Sequence, residues 1–140
     1  MTTSIAEYYS TELDDWKETI DFNLEKIDEV HEGLDEILRF NTVTNLAGKV
    51  EHHLNALLLC KQNFADLYSK INAFEKKIYN GQAPVANELI TGAIKDQQQQ
   101  LRKEMYEAEM DYISVKSDCA NFLADTIYAQ NIKHTNHSPH

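Results

Sequence analysis

"VTNLAGKVEHHLNALLLCKQNFADLYSKINAFEKKIY", residues 43–79, decides the fold. Val43, Val50, Leu57, Phe64, Ile71 and Ile78 recur at a constant heptad interval, and Leu46, His53, Cys60, Leu67 and Phe74 occupy the intervening d positions. Apolar side chains at nearly every a and d position form a seam. That seam is buried only if the segment is helical and lies along other helices. Ala47, Leu54 and Tyr68 widen the stripe on one flank, as a helix with two neighbours requires. His53 is the one strongly polar residue within it.

The same pattern flanks this stretch on both sides. Leu13, Trp16, Ile20, Ile27, Val30, Leu34 and Ile37 form an earlier stripe, interrupted by Asn23 and widened by Leu24 and Leu38. Ile94, Leu101, Met105, Ala108, Tyr112, Val115, Cys119 and Phe122 form a later one, interrupted by Gln98. Helices are therefore expected at about 4–40, 43–79 and 85–130. Asn41 and Thr42 supply turn or capping residues, Asn80-Gly81 is expected to end the second helix, and Pro84 suits the first turn of the third. Short connections force neighbouring helices to run antiparallel. The expected fold is all-α: an elongated, coiled-coil-like antiparallel three-helix bundle forming one domain over residues 1–132, with a disordered tail at 133–140. Gly33 and Gly92 leave open a four-helix variant in which a long helix is broken.

Composition limits the partners. The chain has 140 residues with only 4 Gly and 2 Pro, and 23 acidic against 13 basic residues give a net charge of −10. The first forty residues alone carry 12 Asp or Glu against 3 Lys or Arg. An acidic surface repels phosphate backbones and anionic lipids, so neither nucleic acid nor membrane is expected as a partner. No apolar run approaches the roughly 18–20 residues of a membrane span. The N-terminus lacks the basic-then-apolar order of a signal peptide, so a cytoplasmic location is expected.

Metal chemistry is the sharpest functional candidate. A turn centred near 41–42 would place facing residues of the first two helices at numbers totalling about 83, and a turn near 82 would give about 164 for the second and third. His31, Glu32, Glu51, His52, His53 and Asp111 then share one cross-section. His31, His53 and Asp111 are the candidate metal ligands. Adjacent helical residues diverge by about 100°, so His52 and His53 cannot chelate one ion together. The Glu-x-x-His pairs of di-metal carboxylate bundles are missing from this sequence, and Asp28-x-x-His31 is the nearest approach. His53 is therefore expected to be a hydrogen-bonded core histidine, with no metal and no cofactor. His134, His137 and His140 belong to the tail.

The same arithmetic separates Cys60 from Cys119 by about 22 Å along the axis, far beyond disulfide reach. Both read as reduced core residues, consistent with a reducing compartment. The sequence holds no phosphate-binding glycine loop, nucleophile elbow or zinc knuckle, so no enzymatic activity is expected. Gln98, within "KDQQQQLRKE", is expected to point near the core, either at a locally thinned core or in a polar layer that sets register.

Two stretches, "ELDDWKETIDFNLEKIDEV" and "GKVEHHLN", resemble short all-helical bacterial proteins of unknown function. The likeness lies in length, an early Trp on an acidic helix and the "VEH" segment on the second helix. It covers the first two helices. It implies a helical fold and an intracellular location, and it carries no activity or site residue.

Two surfaces could make an interface. An overhang of the third helix beyond the first turn would carry Phe122, Leu123, Ile127, Tyr128 and Ile132, too apolar for a helix end in water. Phe22, Leu59 and Tyr106 would share one height outside the stripes. The expected function is a non-catalytic intracellular interaction or scaffold bundle, self-associating as a homodimer or binding a protein partner. The alternative is a bundle that binds a metal or small ligand through His31, His53 and Asp111.

Overall fold

A computed structural model describes residues 3–40 and 46–136, and the side-chain surroundings of 3–39 and 46–126. Helix α1 spans Ile5–Phe40, α2 spans Leu46–Glu75 and α3 spans Gly92–Asn136. The three pack as an all-α bundle, with α2 lying against both α1 and α3. The heptad stripes form its interior. Leu13, Ile20, Ile27 and Leu34 of α1, Val50, Leu57, Phe64 and Ile71 of α2, and Leu101, Met105, Tyr112 and Cys119 of α3 are all buried. Each large aliphatic or aromatic side chain removed from water in this way contributes about 1.5–3 kcal/mol. Leu38 is an exception to the expected stripe and is exposed.

α1 is unbroken through Gly33, whose position lies 4.0 Å from Leu123 Cδ1 for an added Cβ, and Gly92 is the first residue of α3. Neither glycine splits a helix, so among the described residues the bundle has three α-helices and not four. Ser4 caps α1 by accepting a hydrogen bond from the Glu7 N–H at 3.2 Å, and Thr91 caps α3 by accepting one from the Ile94 N–H at 3.3 Å. Such caps satisfy N–H groups that a helix start leaves without partners.

The α2–α3 connection departs from expectation. α2 stops at Glu75, before Asn80-Gly81. The segment that follows forms a small antiparallel hairpin, strand β1 at Tyr79–Asn80 and strand β2 at Ala83–Pro84, then a single 3-10 turn at Asn87–Leu89. Gly81 takes a positive φ in the first central position of the two-residue loop, where the handedness of a tight hairpin favours glycine. Pro84 lies on a strand edge, where it removes no required ladder donor. Asn80-Gly81 therefore turns a hairpin and does not cap a helix, and α3 begins at residue 92 instead of about 85.

Both helix registers differ from expectation. Lys17 pairs with Glu75 and Lys61 with Asp28, so facing residues of α1 and α2 total about 90. Lys70 pairs with Glu104 and Lys77 with Gln97, so those of α2 and α3 total about 174. α1 and α3 run parallel. Glu12 meets Gln98 and Arg102, and Gly33 approaches Leu123, which sets their offset near 88 residues. Residues 133–136, expected in the tail, continue α3. The expected turn at Asn41 and Thr42, residues 43–45 expected to begin the second helix, and the tail end at 137–140 lie outside the described residues.

Candidate interaction surface

The corrected register takes the metal candidates apart. Asp111 is exposed and lines an open groove of about 280 Å³ between α2 and α3, with Asn63, Asp66, Lys70, Glu104 and Glu107. It faces the level of Asn63, about ten residues or 15 Å below His53. His31 is exposed on α1 at the level of Leu59. Among the described residues, no three His, Cys, Asp or Glu side chains are grouped to hold a metal ion.

His53 instead lies half-buried between α2 and α3. Its Nδ1 is 3.8 Å from Cys119 Sγ, and its ring stacks at 4.7 Å on Phe122 and at 5.4 Å, edge-on, on His52. Burial, then the neighbouring His52, push its pKa below the ordinary histidine value, with Asp118 acting weakly the other way. Burial also pushes the Cys119 thiol up to about 11, aided by Asp118 and Cys60. Cys60 is raised in the same way by burial and by Asp111. The register brings the two cysteines within about five residues of one height, much nearer than the sequence arithmetic places them, and both are free thiols.

The hairpin end of the bundle is held by polar contacts that a hydrophobic pattern cannot reveal. Gln98 is fully buried, and its Nε2 donates to Glu12 Oε1 at 2.7 Å and reaches the Tyr9 carbonyl at 3.5 Å. Arg102 donates through Nε and Nη2 to the same carboxylate at 2.8 and 2.7 Å. Burial would raise the Glu12 pKa, but the hydrogen bonds from Arg102 and Gln98 and the Arg102 charge more than offset it and hold the carboxyl low. Ser10 and Tyr79 share a 2.6 Å hydrogen bond, and Asn87 Oδ1 accepts from the Ile5 N–H at 2.9 Å. The connection is thereby tied to the start of α1. Gln98 Oε1 and the Tyr112 hydroxyl are buried without partners among the described residues.

The expected interaction residues divide. Phe122 and Leu123 are partly buried against the core, Phe122 on His53 and Leu123 beside Gly33, and so do not overhang. The offset near 88 sets residue 40 level with about 128, so any overhang begins later. The side chains of Ile127, Tyr128 and Ile132 lie outside the described residues.

Phe22, Leu59 and Tyr106 are all exposed, at 56%, 61% and 65%. Leu59, however, sits level with about residue 31 of α1, roughly 14 Å above Phe22. What joins Phe22 and Tyr106 is a stripe that sequence reasoning missed. Tyr106, Met110 and Ile113 follow the i, i+4, i+7 spacing of one face of α3, are all exposed, and bracket the height of Phe22 on the parallel α1. The signal was in the sequence, because Met110 and Ile113 are apolar residues off the heptad stripe. Comparisons with protein-family models, curated proteins and solved structures return no match for this chain, so the site rests on its own geometry.

Proposed function

We propose that this chain is a non-catalytic interaction module that works through the face formed by Phe22 on α1 and Tyr106, Met110 and Ile113 on α3. The observation that carries it is the contrast within these helices: the heptad positions bury their apolar residues, while four large apolar side chains within about 10 Å of height face water. Clustered exposure of this kind is costly to leave uncovered and marks association surfaces.

The electrostatics support the non-catalytic part. A cysteine nucleophile paired with histidine needs a lowered thiol pKa and an accessible sulfur. Cys119 has a raised pKa and no exposure, and burial holds His53 toward its neutral form. Two buried, unpaired thiols also favour a reducing intracellular setting.

Proximity labelling in the native host tests this reading. A fusion of the chain should label a defined set of proteins, its own untagged copy included, and that set should shrink when Phe22, Tyr106 and Met110 are replaced by serine. An unchanged set, with the variant folded and equally abundant, contradicts the proposal.

A further inference from the structure

We infer that the occupant of the Phe22–Met110 face is a second copy of this chain, docked about a two-fold axis parallel to the helices. α1 of each protomer then lies along α3 of its partner. The inference rests on the interaction reading above and adds to it the identity of the occupant and the geometry of docking.

Three features of the face agree. The first is height. A two-fold axis parallel to the helices leaves heights unchanged, so Phe22 of one protomer meets the Tyr106, Met110 and Ile113 stripe of the other, which spans its own level.

The second is charge. Along α1 the exposed carboxylates Asp15 and Glu18 lie below Phe22, and Glu25 and Glu29 lie above it. Along α3, Lys103 lies below Met110 and Lys116 above it, level with about residues 15 and 28 of α1. Lys103 is 68% exposed, and its Nζ is 4.0 Å from Glu107. Lys116 Nζ lies 5.9 Å from the centre of the Tyr112 ring. The carboxylates at either end of the α1 row thus face Lys103 and Lys116 on the partner, twice over by symmetry, while Glu107 and Glu109 of α3 flank Met110 between those two cations. Lys26, paired with Glu29 at 3.3 Å and 5.4 Å from the centre of the Phe22 ring, lies within the acidic row, whereas Lys17 is turned to Glu75 of α2. Stacking α1 on α1 sets carboxylates against carboxylates and is disfavoured. Complementary rows of this kind select partner and orientation.

The third is area. Large apolar side chains bury on the order of 150–250 Å² each, so four that are about half exposed offer roughly 400 Å² per protomer. That is about half of the roughly 800 Å² per partner in a stable interface, leaving the remainder to the flanking charged rows.

Sedimentation velocity on the full chain, from about 1 to 200 µM, tests this over the range expected for an interface of modest area. A reversible dimer is expected, weakened at least tenfold by Phe22→Ser with Met110→Ser. These exposed positions can be changed without opening the core, and unchanged thermal melting verifies that. A charge exchange then fixes the geometry. Asp15→Lys with Glu29→Lys, and separately Lys103→Glu with Lys116→Glu, should each weaken self-association, while a mixture of the two variants restores dimers. A wild-type chain that stays monomeric, a dimer indifferent to Phe22→Ser, or charge variants that fail to rescue one another overturns the inference. Monomeric purified protein whose cellular contacts still depend on Phe22 and Tyr106 refutes only the second-copy occupant and leaves the interaction module standing.

Discussion

Replacing Glu12 with alanine removes a carboxylate that is 23% exposed, yet its main cost falls on a residue that is not exposed at all. Arg102 is 44% exposed, so its part of the contact is a surface ion pair worth about 0.5–1 kcal/mol. Gln98 is fully buried and its Oε1 already lacks a partner. Without Glu12, its Nε2 retains only the Tyr9 carbonyl at 3.5 Å, beyond good hydrogen-bond length. Loss of a buried hydrogen bond to a charged acceptor costs about 1.5–3 kcal/mol. Glu12→Ala should therefore destabilise by about 2–4 kcal/mol in all.

In a Gln98→Leu background only the ion pair remains to be lost, so the same change should cost about 1 kcal/mol. For a chain of this size that difference corresponds to a gap of about 5–9 °C in melting temperature. Urea and thermal melts of the four proteins in the cycle give the coupling directly. If Glu12→Ala costs the same in both backgrounds to within about 0.5 kcal/mol, the Gln98–Glu12 contact does not hold the hairpin end and the reasoning is refuted.

Further outcomes follow from the core and from His53. Leu57 is fully buried in the middle of α2, so Leu57→Ala should destabilise by about 2–5 kcal/mol. Lys61→Ala, at an exposed position of the same helix, should have a far smaller effect, and equal shifts in urea midpoint for the two would contradict the heptad assignment. The His53 pKa is lowered in the folded state, so its contribution to stability is present above the ordinary histidine value and is lost as pH falls through the folded one. Melting temperature should thus fall between about pH 7 and 5 in the wild type and fall less in His53→Leu, which should also keep its fold. Parallel curves for the two proteins would show that His53 does not titrate from a buried neutral state.

The helices and their buried faces were legible because a heptad repeat encodes both together. Val50, Leu57, Phe64 and Ile71 could be placed in the core without any knowledge of neighbours. Register was not legible, because it depends on the length of the connections. Asn80-Gly81 followed an apolar run that continues to Ile78, and a helix end and a tight hairpin draw on the same pair of residues. Choosing the helix end shortened the α2–α3 connection and moved facing residues by about ten in their total. The α1–α2 total moved by about seven as well, and every inference drawn from height moved with these two shifts: the His31–His53–Asp111 cross-section, the cysteine separation, the Phe122 overhang and the common level of Leu59 with Phe22. Phe22 and Tyr106 kept their exposure because the position of each around its own helix does not depend on the loops. Gln98 was recognised as near-core, but its carboxylate partner lies on another helix and could not be found before the register was known.

Hydroxyl-radical footprinting tests the central claim most directly, because it reports the solvent access of each side chain. In dilute purified protein Met110, Tyr106 and Phe22 should be oxidised readily, as their exposure requires, while Met105, buried in the core on the same helix, stays protected. In cells at native abundance the account predicts that Met110, Tyr106 and Phe22 become protected and exposed Tyr8, distant along α1, does not. Equal oxidation of Met110, Tyr106 and Phe22 in dilute solution and in the cell would contradict the claim that this face is covered when the protein functions.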